Sequence, residues 1–280
     1  MVEKGEFKKK KDFLLCVDSD GCAMDTMDIK HIKCFGPCMV KVWDLEEWSD
    51  AILKRWNDIN LYQKTRGINR FKALALILTE ISHNYKRIED LDHLIYWADQ
   101  AKELSNESLE YEAEKRDSVS LKKALTWSRM VNEKINELPD SEKKPFLGVR
   151  EALKTIHKYA DIAIVSSANR QAVLDEWEKE HILEFTDVVM AQDCGSKAHC
   201  IDVLMGKGYT KDHILMVGDA PGDLQAARKN NVLFYPILVR REKESWKELE
   251  EKGLQEFLSG SYQGNYEKEK EEEFYRNLSH

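Results

Sequence analysis

Five short apolar runs punctuate the chain: residues 13–18 (FLLCVD), 161–166 (DIAIVS), 186–191 (TDVVMA), 213–218 (HILMVG) and 232–238 (VLFYPIL). Each is nearly continuous in hydrophobicity and rich in Val or Ile, the pattern of strands in a parallel sheet covered on both faces. Segments 170–181, 196–207 and 223–230 follow the later runs and fit single crossover helices. The interval between the first two runs is of another kind. Leu45, Trp48, Ile52, Trp56 and Ile59 recur at helical spacing, and so do Phe71, Leu74, Leu78 and Ile81, then Leu91, Leu94, Ala98 and Ala101, then Leu121, Leu125 and Ser128. Asp44 with Glu47 has the form of a capping box ahead of the first of these.

No strand signal appears between Val42 and Pro139. A crossover in an α/β sheet needs only about a dozen residues, so this much longer interval predicts a separate helical module, leaving near a Gly36-Pro37 turn and returning at residues 139–145. The expected fold is α/β, a Rossmann-like parallel sheet core with an inserted all-helical cap domain. The core takes residues 1–35 and 146–240, the cap 36–145, and a helical C-terminal tail 241–280. The tail reads as two further helices, with the acidic run at 267–273 (EKEKEEE) as a solvated face.

A chain of 280 residues can bury a substantial core in two domains. Its 43 basic and 51 acidic side chains leave a net charge of -8, which argues against a general nucleic-acid binder. The N-terminal MVEKGEFKKKKDF lacks the apolar core and cleavage site of a signal peptide. No run approaches the roughly 18 apolar residues of a membrane helix, so the expectation is a cytoplasmic protein with no membrane partner. Composition sets no oligomeric state. Cys16, Cys22, Cys34, Cys38, Cys194 and Cys200 are too scattered for a disulfide framework, and Cys34 with Cys38 lacks the second pair of a metal site. Reduced, structural thiols are expected.

Ligands of a parallel α/β sheet sit beyond the carboxyl ends of its strands. The first run ends in Asp18-Ser19-Asp20-Gly21, the second in Ser166-Ser167-Ala168-Asn169, and the fourth in Gly218-Asp219-Ala220-Pro221-Gly222-Asp223, while Gly195-Ser196-Lys197 opens a helix after the third. Taken singly, DxDG is a turn, Ser166 a strand-end serine, Lys197 a solvated helix residue and GDxxxD a helix cap with an acidic first turn. Together, in succession, they deliver carboxylates, a hydroxyl and an ammonium to one edge.

This set, in this order, resembles the four motifs of the haloacid dehalogenase superfamily of phosphotransferases: DSDG at 18–21, Ser166, Lys197 and GDAPGD at 218–223. DSDGCAMDT also resembles the first motif of the beta-phosphoglucomutase-like branch, whose helical cap is inserted at the same place; the insert here is larger than is usual there. The resemblance implies that Asp18 is the nucleophile of an aspartyl-phosphate pathway and Asp20 the general acid and base. It implies Mg²⁺ held by the side chains of Asp18 and Asp219 and the main-chain carbonyl of Asp20, with Asp223 orienting Lys197 or a water of the metal. Ser166, with the amides of Ser167 and of the loop that includes Gly21, would hold phosphoryl oxygens, and Lys197 would balance the charge.

In the insert, KTRGINRF at 64–71 resembles the cap segment that meets the distal group of the substrate, Gly67 and Arg70 matching. Arg66 and Arg70 are candidates for that contact, or else a surface loop before a helix; Asn169 and Arg170 are further candidates. The tryptophans at 43, 48, 56, 97 and 127 fit the core of the cap. The expected activity is that of a Mg²⁺-dependent phosphatase acting on a small phosphorylated metabolite. A phosphomutase of the beta-phosphoglucomutase type and a non-catalytic scaffold are the alternatives; a dehalogenase has no need of the second carboxylate, Asp20.

Overall fold

In a computed structural model that describes residues 7–278, the helical spacing of the insert becomes α1 (Met27–Lys30), α2 (Gly36–Val42), α3 (Ser49–Asn57), α4 (Arg70–Asn84), α5 (Leu91–Gln100), α6 (Asn106–Arg116) and α7 (Val119–Asn136). One structural unit is Asp28–Pro139, and the other joins Met1–Met27 to Asp140–His280. The helical unit closes on its own aromatic core. Trp56 and Trp127 are fully buried, and the Phe71 ring meets Trp97 and Trp127 edge-on at 5.0 and 6.1 Å. A π-helical turn, His31–Phe35, links α1 to α2. Two of the buried indoles bond to this turn: Trp127 Nε1 donates to the Phe35 carbonyl at 3.0 Å, and Trp56 Nε1 to the His31 ring at Nδ1, at 3.2 Å. Asn69, Ser105 and Ser118 cap α4, α6 and α7 through their side-chain oxygens.

Two local expectations fail here. Gly36-Pro37 is no turn: both residues lie in the first turn of α2, where proline needs no hydrogen-bond donor. The glycine instead lets α3 approach, since a Cβ at Gly36 would stand 2.8 Å from Leu53 Cδ2. Nor does Asp44 cap a helix. It takes a left-handed conformation, φ 53°, whereas an N-cap residue needs extended backbone; its carboxylate meets Lys123 at 3.4 Å, and α3 begins only at Ser49 after a 3-10 turn, Glu46–Trp48.

The other unit is α/β. Strands β1 (Phe13–Val17), β2 (Ala160–Val165), β3 (Val188–Met190), β4 (Ile214–Gly218) and β5 (Leu233–Pro236) form one parallel sheet in the order β3-β2-β1-β4-β5. Leu15 of β1 lies opposite Ile162 and Leu215, and residues 14–17 are all fully buried, which is why the strand reads as an unbroken apolar run. Burying each of Leu14, Leu15 and Val17 contributes about 1.5–3 kcal/mol. Helices α8 (Val149–Ile156), α9 (Arg170–Lys179), α10 (Lys197–Met205) and α11 (Pro221–Asn230) alternate with the later strands. The chain builds outward from β1 through β2 to β3 and then returns to β4 on the other side. The carboxyl ends of β1 and β4 therefore flank the point where strand order reverses, the place where a crevice opens in such sheets.

At the opposite edge, Asp161 accepts the amides of Lys10 and Lys11 at 2.8 and 3.0 Å and the Tyr209 hydroxyl at 2.6 Å. Beside it Asp187 accepts Lys10 Nζ at 2.8 Å and the Ile162 amide at 2.9 Å.

The tail forms α12 (Glu242–Glu248), α13 (Leu254–Ser259) and α14 (Asn265–Asn277), with a π-helical turn, Leu249–Gly253, joining the first two. It packs on the edge strand: Phe274 meets Phe234 edge-on at 5.4 Å, and the Tyr262 hydroxyl donates to the Phe234 carbonyl at 2.6 Å. The acidic run is only partly a solvated face. Tyr266, Lys270 and Phe274 recur every fourth residue and are buried; Lys270 lays its stem against the core and holds Glu248 at 2.7 Å and Glu273 at 2.8 Å. All six thiols are free and buried, and no helix among the described residues is long and apolar enough to cross a membrane.

Candidate active site

The site begins where β1 stops. Asp18 still belongs to the ladder, its amide donating to the Val217 carbonyl at 3.0 Å. The chain then folds back on itself. The Ser19 carbonyl gathers the amides of Cys22, Ala23 and Met24 at 3.3, 3.0 and 2.8 Å, and the Gly21 amide donates to Met24 O at 2.8 Å. This turn needs a left-handed residue, and Gly21 supplies it with φ 80°. Asp18 is buried and Asp20 partly so; the Asp20 carboxylate accepts the hydroxyl of buried Thr26 at 2.5 Å.

The end of β2 brings Ser166, whose amide extends the ladder to Met190 O at 2.9 Å and whose Oγ accepts the Ala168 amide at 3.1 Å. Ser167 is exposed beside it. After β3, Ser196 caps α10 by accepting the His199 amide, which places Lys197 in the first turn. Its Nζ lies 2.8 Å from Asp18 Oδ2 and 2.6 Å from Asp223 Oδ1. At the end of β4, Asp223 also accepts the Ala220 amide at 3.0 Å, so it closes α11 while it holds the lysine. Gly218 makes room for that arrangement, because a Cβ there would fall 2.3 Å from Asp223 Cγ.

Asp18, Asp219 and Asp223, all buried, offer carboxylate oxygens that lie within 4.8 Å of one another, the group among the described residues that can hold a metal ion. Burial pushes the Asp18 carboxyl well above the usual range, and Asp223 and Asp219 push the same way against the pull of Lys197. For Lys197, burial favours the neutral amine, but Asp18 and Asp223 outweigh it and hold the ammonium above its ordinary value. Three carboxylates facing one ammonium leave an excess of two negative charges when all are ionised. An all-oxygen donor set with that deficit fits a hard divalent cation.

Thus Asp18, Lys197, Asp219 and Asp223 are brought together, Asp20 stands two residues beyond on its own partner, and Ser166 sits at the next strand end. Asn169 and Arg170 are engaged within the protein: Asn169 Oδ1 caps α9, and Arg170 binds Asp193 at 2.8 Å, Val189 O at 3.0 Å and Cys194 Sγ at 3.0 Å. In the helical unit Arg66 is buried and donates to Leu61 O at 2.7 Å. Arg70 donates to Asn132 Oδ1 at 2.8 Å and lies over the Phe35 ring, so neither arginine is the open surface loop that was one alternative. Thr26, Trp177 and Trp246 were missed in the sequence. Thr26 stood inside DSDGCAMDT, and the two tryptophans gave no signal beyond their apolar positions.

Acidic side chains and one lysine gathered beyond the carboxyl ends of parallel strands mark the candidate active site of an α/β enzyme. The family model for haloacid dehalogenase-like hydrolase matches residues 68–237, more than half of the chain, and the chain belongs to that family. The match begins downstream of Asp18. No curated protein matches. Among solved structures, a haloacid dehalogenase-like family hydrolase from Streptococcus pneumoniae is similar over 84% of this chain and 90% of that one, with 12% identity and a TM-score of 0.51. A protein from Bacteroides fragilis described as a haloacid dehalogenase-like hydrolase covers 84% and 93%, at 14% identity and a TM-score of 0.51. One from Clostridium difficile described as a phosphatase covers 81% and 86%, at 14% identity and a TM-score of 0.50. At these identities the likeness is one of fold.

Proposed function

We propose that this hydrolase is a Mg²⁺-dependent phosphatase that cleaves a small phosphorylated metabolite through an aspartyl phosphate on Asp18. The observation that carries the reading is the division of labour between two carboxylates two residues apart. Asp18 is locked between Lys197 and the acidic group, whereas Asp20 stands on Thr26. One is fixed for attack and the other is set for proton transfer.

An Asp18 oxygen attacks phosphorus, forming the acyl phosphate as the ester P–O bond breaks, and Asp20 gives its proton to the departing alkoxide. Asp20, now ionised, takes a proton from water as that water attacks phosphorus; the bond to Asp18 breaks, and inorganic phosphate leaves. Lys197 balances the charge gathered on nucleophile and phosphoryl group, and Ser166 with the Ser167 amide holds phosphoryl oxygens; the Gly21 amide, expected to join them, is instead spent on Met24 O at 2.8 Å, closing the loop. The side chains of Asp18 and Asp219, with Asp223 beside them and the main-chain carbonyl of Asp20, would hold Mg²⁺, which when bound would supply the positive charge that favours an ionised Asp18 and polarises the ester.

The test is phosphate release from a panel of phosphorylated sugars, nucleotides and small acids, with Mg²⁺ and with EDTA. Asp18→Asn is expected to lower turnover on the order of 10³-fold or more. Full metal-dependent turnover in that variant would overturn the mechanism, and isomer formation from a hexose phosphate in place of free phosphate would make the enzyme a mutase.

A further inference from the structure

The loop that carries Asp18 and Asp20 is held by two buried indoles. Of the seven tryptophans, Trp177 and Trp246 are the two in the α/β unit. Both are fully buried, and both aim their single N–H at this loop: Trp177 Nε1 donates to Ser19 Oγ at 2.9 Å, and Trp246 Nε1 donates to the Cys22 carbonyl at 2.9 Å. They arrive from different elements. Trp177 stands on α9, which follows β2, and Trp246 on α12, which begins the C-terminal tail.

Filling space would need only an apolar ring, and a buried indole N–H finds a partner because leaving it unmade is costly. Here the partners are chosen with consequence. Ser19 lies between the two aspartates and its side chain is fully buried. It stands in the turn that follows β1, so a bond that fixes its side chain also fixes the stretch of backbone from which the Asp18 and Asp20 side chains both extend. The Ser19 carbonyl then folds the chain over the amides of residues 22–24, which presents the Cys22 carbonyl to Trp246. Trp246 is itself fixed to the sheet, because the Tyr235 hydroxyl donates to Ser245 O at 2.9 Å and the Leu238 amide to Ser245 Oγ at 3.0 Å.

We infer that Trp177 and Trp246 are positioning residues for Asp18 and Asp20, and that the C-terminal helices are thereby a working part of the active site. This rests on the function proposed above. A nucleophile displaced by about 1 Å loses on the order of 10²-fold in rate, so the two bonds act on kcat rather than on affinity.

The test uses the full chain with p-nitrophenyl phosphate and Mg²⁺, well below the melting temperature, together with hydrogen exchange of residues 18–24. Trp177→Phe and Trp246→Phe keep an aromatic ring and remove the N–H; Ser19→Ala removes the acceptor without a large cavity. Each is expected to lower kcat about 10-fold at unchanged KM and to raise exchange in the loop while β2 and β4 keep theirs. Ser19→Ala should add little to Trp177→Phe. Folded variants with the wild-type kcat overturn the inference, and so does a loss that tracks the unfolded fraction and vanishes on cooling. If the wild-type chain releases no phosphate from this ester, the proposed function fails on that probe and exchange alone decides: unchanged protection of residues 18–24 in both tryptophan variants overturns the positioning role, and selective loss upholds it.

Discussion

Removing one carboxylate from the acidic group should make the metal-free protein no less stable and the Mg²⁺-loaded protein much less so. Asp219→Asn is the perturbation. Oxygens of Asp18, Asp219 and Asp223 lie within 4.8 Å of one another, and two unit charges at that spacing repel by about 3.5 kcal/mol at an effective dielectric near 20. Lys197 offsets part of this at Asp18 and Asp223, to which it is bonded. The amide at 219 relieves the repulsion, so the metal-free variant should melt at or above the wild-type temperature. A cation bound only by the native state stabilises by about 2.7 kcal/mol at a hundred times its dissociation constant. For a domain of this size that is about 5–11 °C, at ~2–4 °C per kcal/mol. Thermal melts of the two proteins with EDTA and with rising Mg²⁺ should therefore cross: the wild type climbs, and Asp219→Asn stays nearly flat. A wild-type melting temperature indifferent to millimolar Mg²⁺, or an equal climb in the variant, would refute the assignment of this group as a cation site.

Gly218→Ala forces a Cβ to within 2.3 Å of Asp223 Cγ, so Asp223 must leave Lys197; turnover should fall on the order of 10²-fold and the Mg²⁺ melting shift should shrink with it. Lys270→Met keeps the buried stem but strips the ammonium from Glu248 and Glu273; chemical denaturation should show a loss of about 1.5–3 kcal/mol, and a neutral result would reduce Lys270 to packing. Asp187 is opposed by burial, yet Lys10, the Ile162 amide and His157 together hold its carboxyl below the ordinary 3.8. Its contribution is thus present above 3.8 and is lost as pH falls through the lower folded value. Asp187→Asn should flatten that acid limb of the stability curve and leave the neutral plateau lower.

What could be read in the sequence and what could not divide along a physical line. The strands were legible because Leu14, Leu15, Cys16 and Val17 are buried on both faces and so leave an apolar run that no solvent-facing residue interrupts. Asp18 was legible because it follows the last residue of β1, and Lys197 and Asp223 because each lies in the first turn of the helix that follows a strand. Contacts between distant segments left no such trace. Nothing near Trp246 says that its N–H will meet Cys22, 224 positions earlier. The acidic run hid Lys270 for a related reason: an apolar stripe of Tyr266, Lys270 and Phe274 is masked when its middle member is charged at the tip and apolar along the stem. Gly36-Pro37 misled because the dipeptide suits a turn and the first turn of a helix equally, and only the approach of Leu53 decides between them.

The same parts that hold the site also determine where its electrostatic cost falls. Three buried carboxylates set against one lysine oppose folding of the metal-free unit, so the geometry must be imposed by contacts that do not depend on the charges themselves. The structure supplies them from outside the crevice: the Ser19 carbonyl bridging its own loop, the indoles of Trp177 and Trp246, and an edge strand covered by Phe274 and Tyr262. These contacts are made by neutral groups, so they do not depend on the charges of the acidic group. On this view the tail is what allows the acidic cluster to be kept. Loosening α12 or α14 should lower activity before it unfolds the sheet, because the loop bearing Asp18 and Asp20 is held by the first and the strand that anchors it by the second.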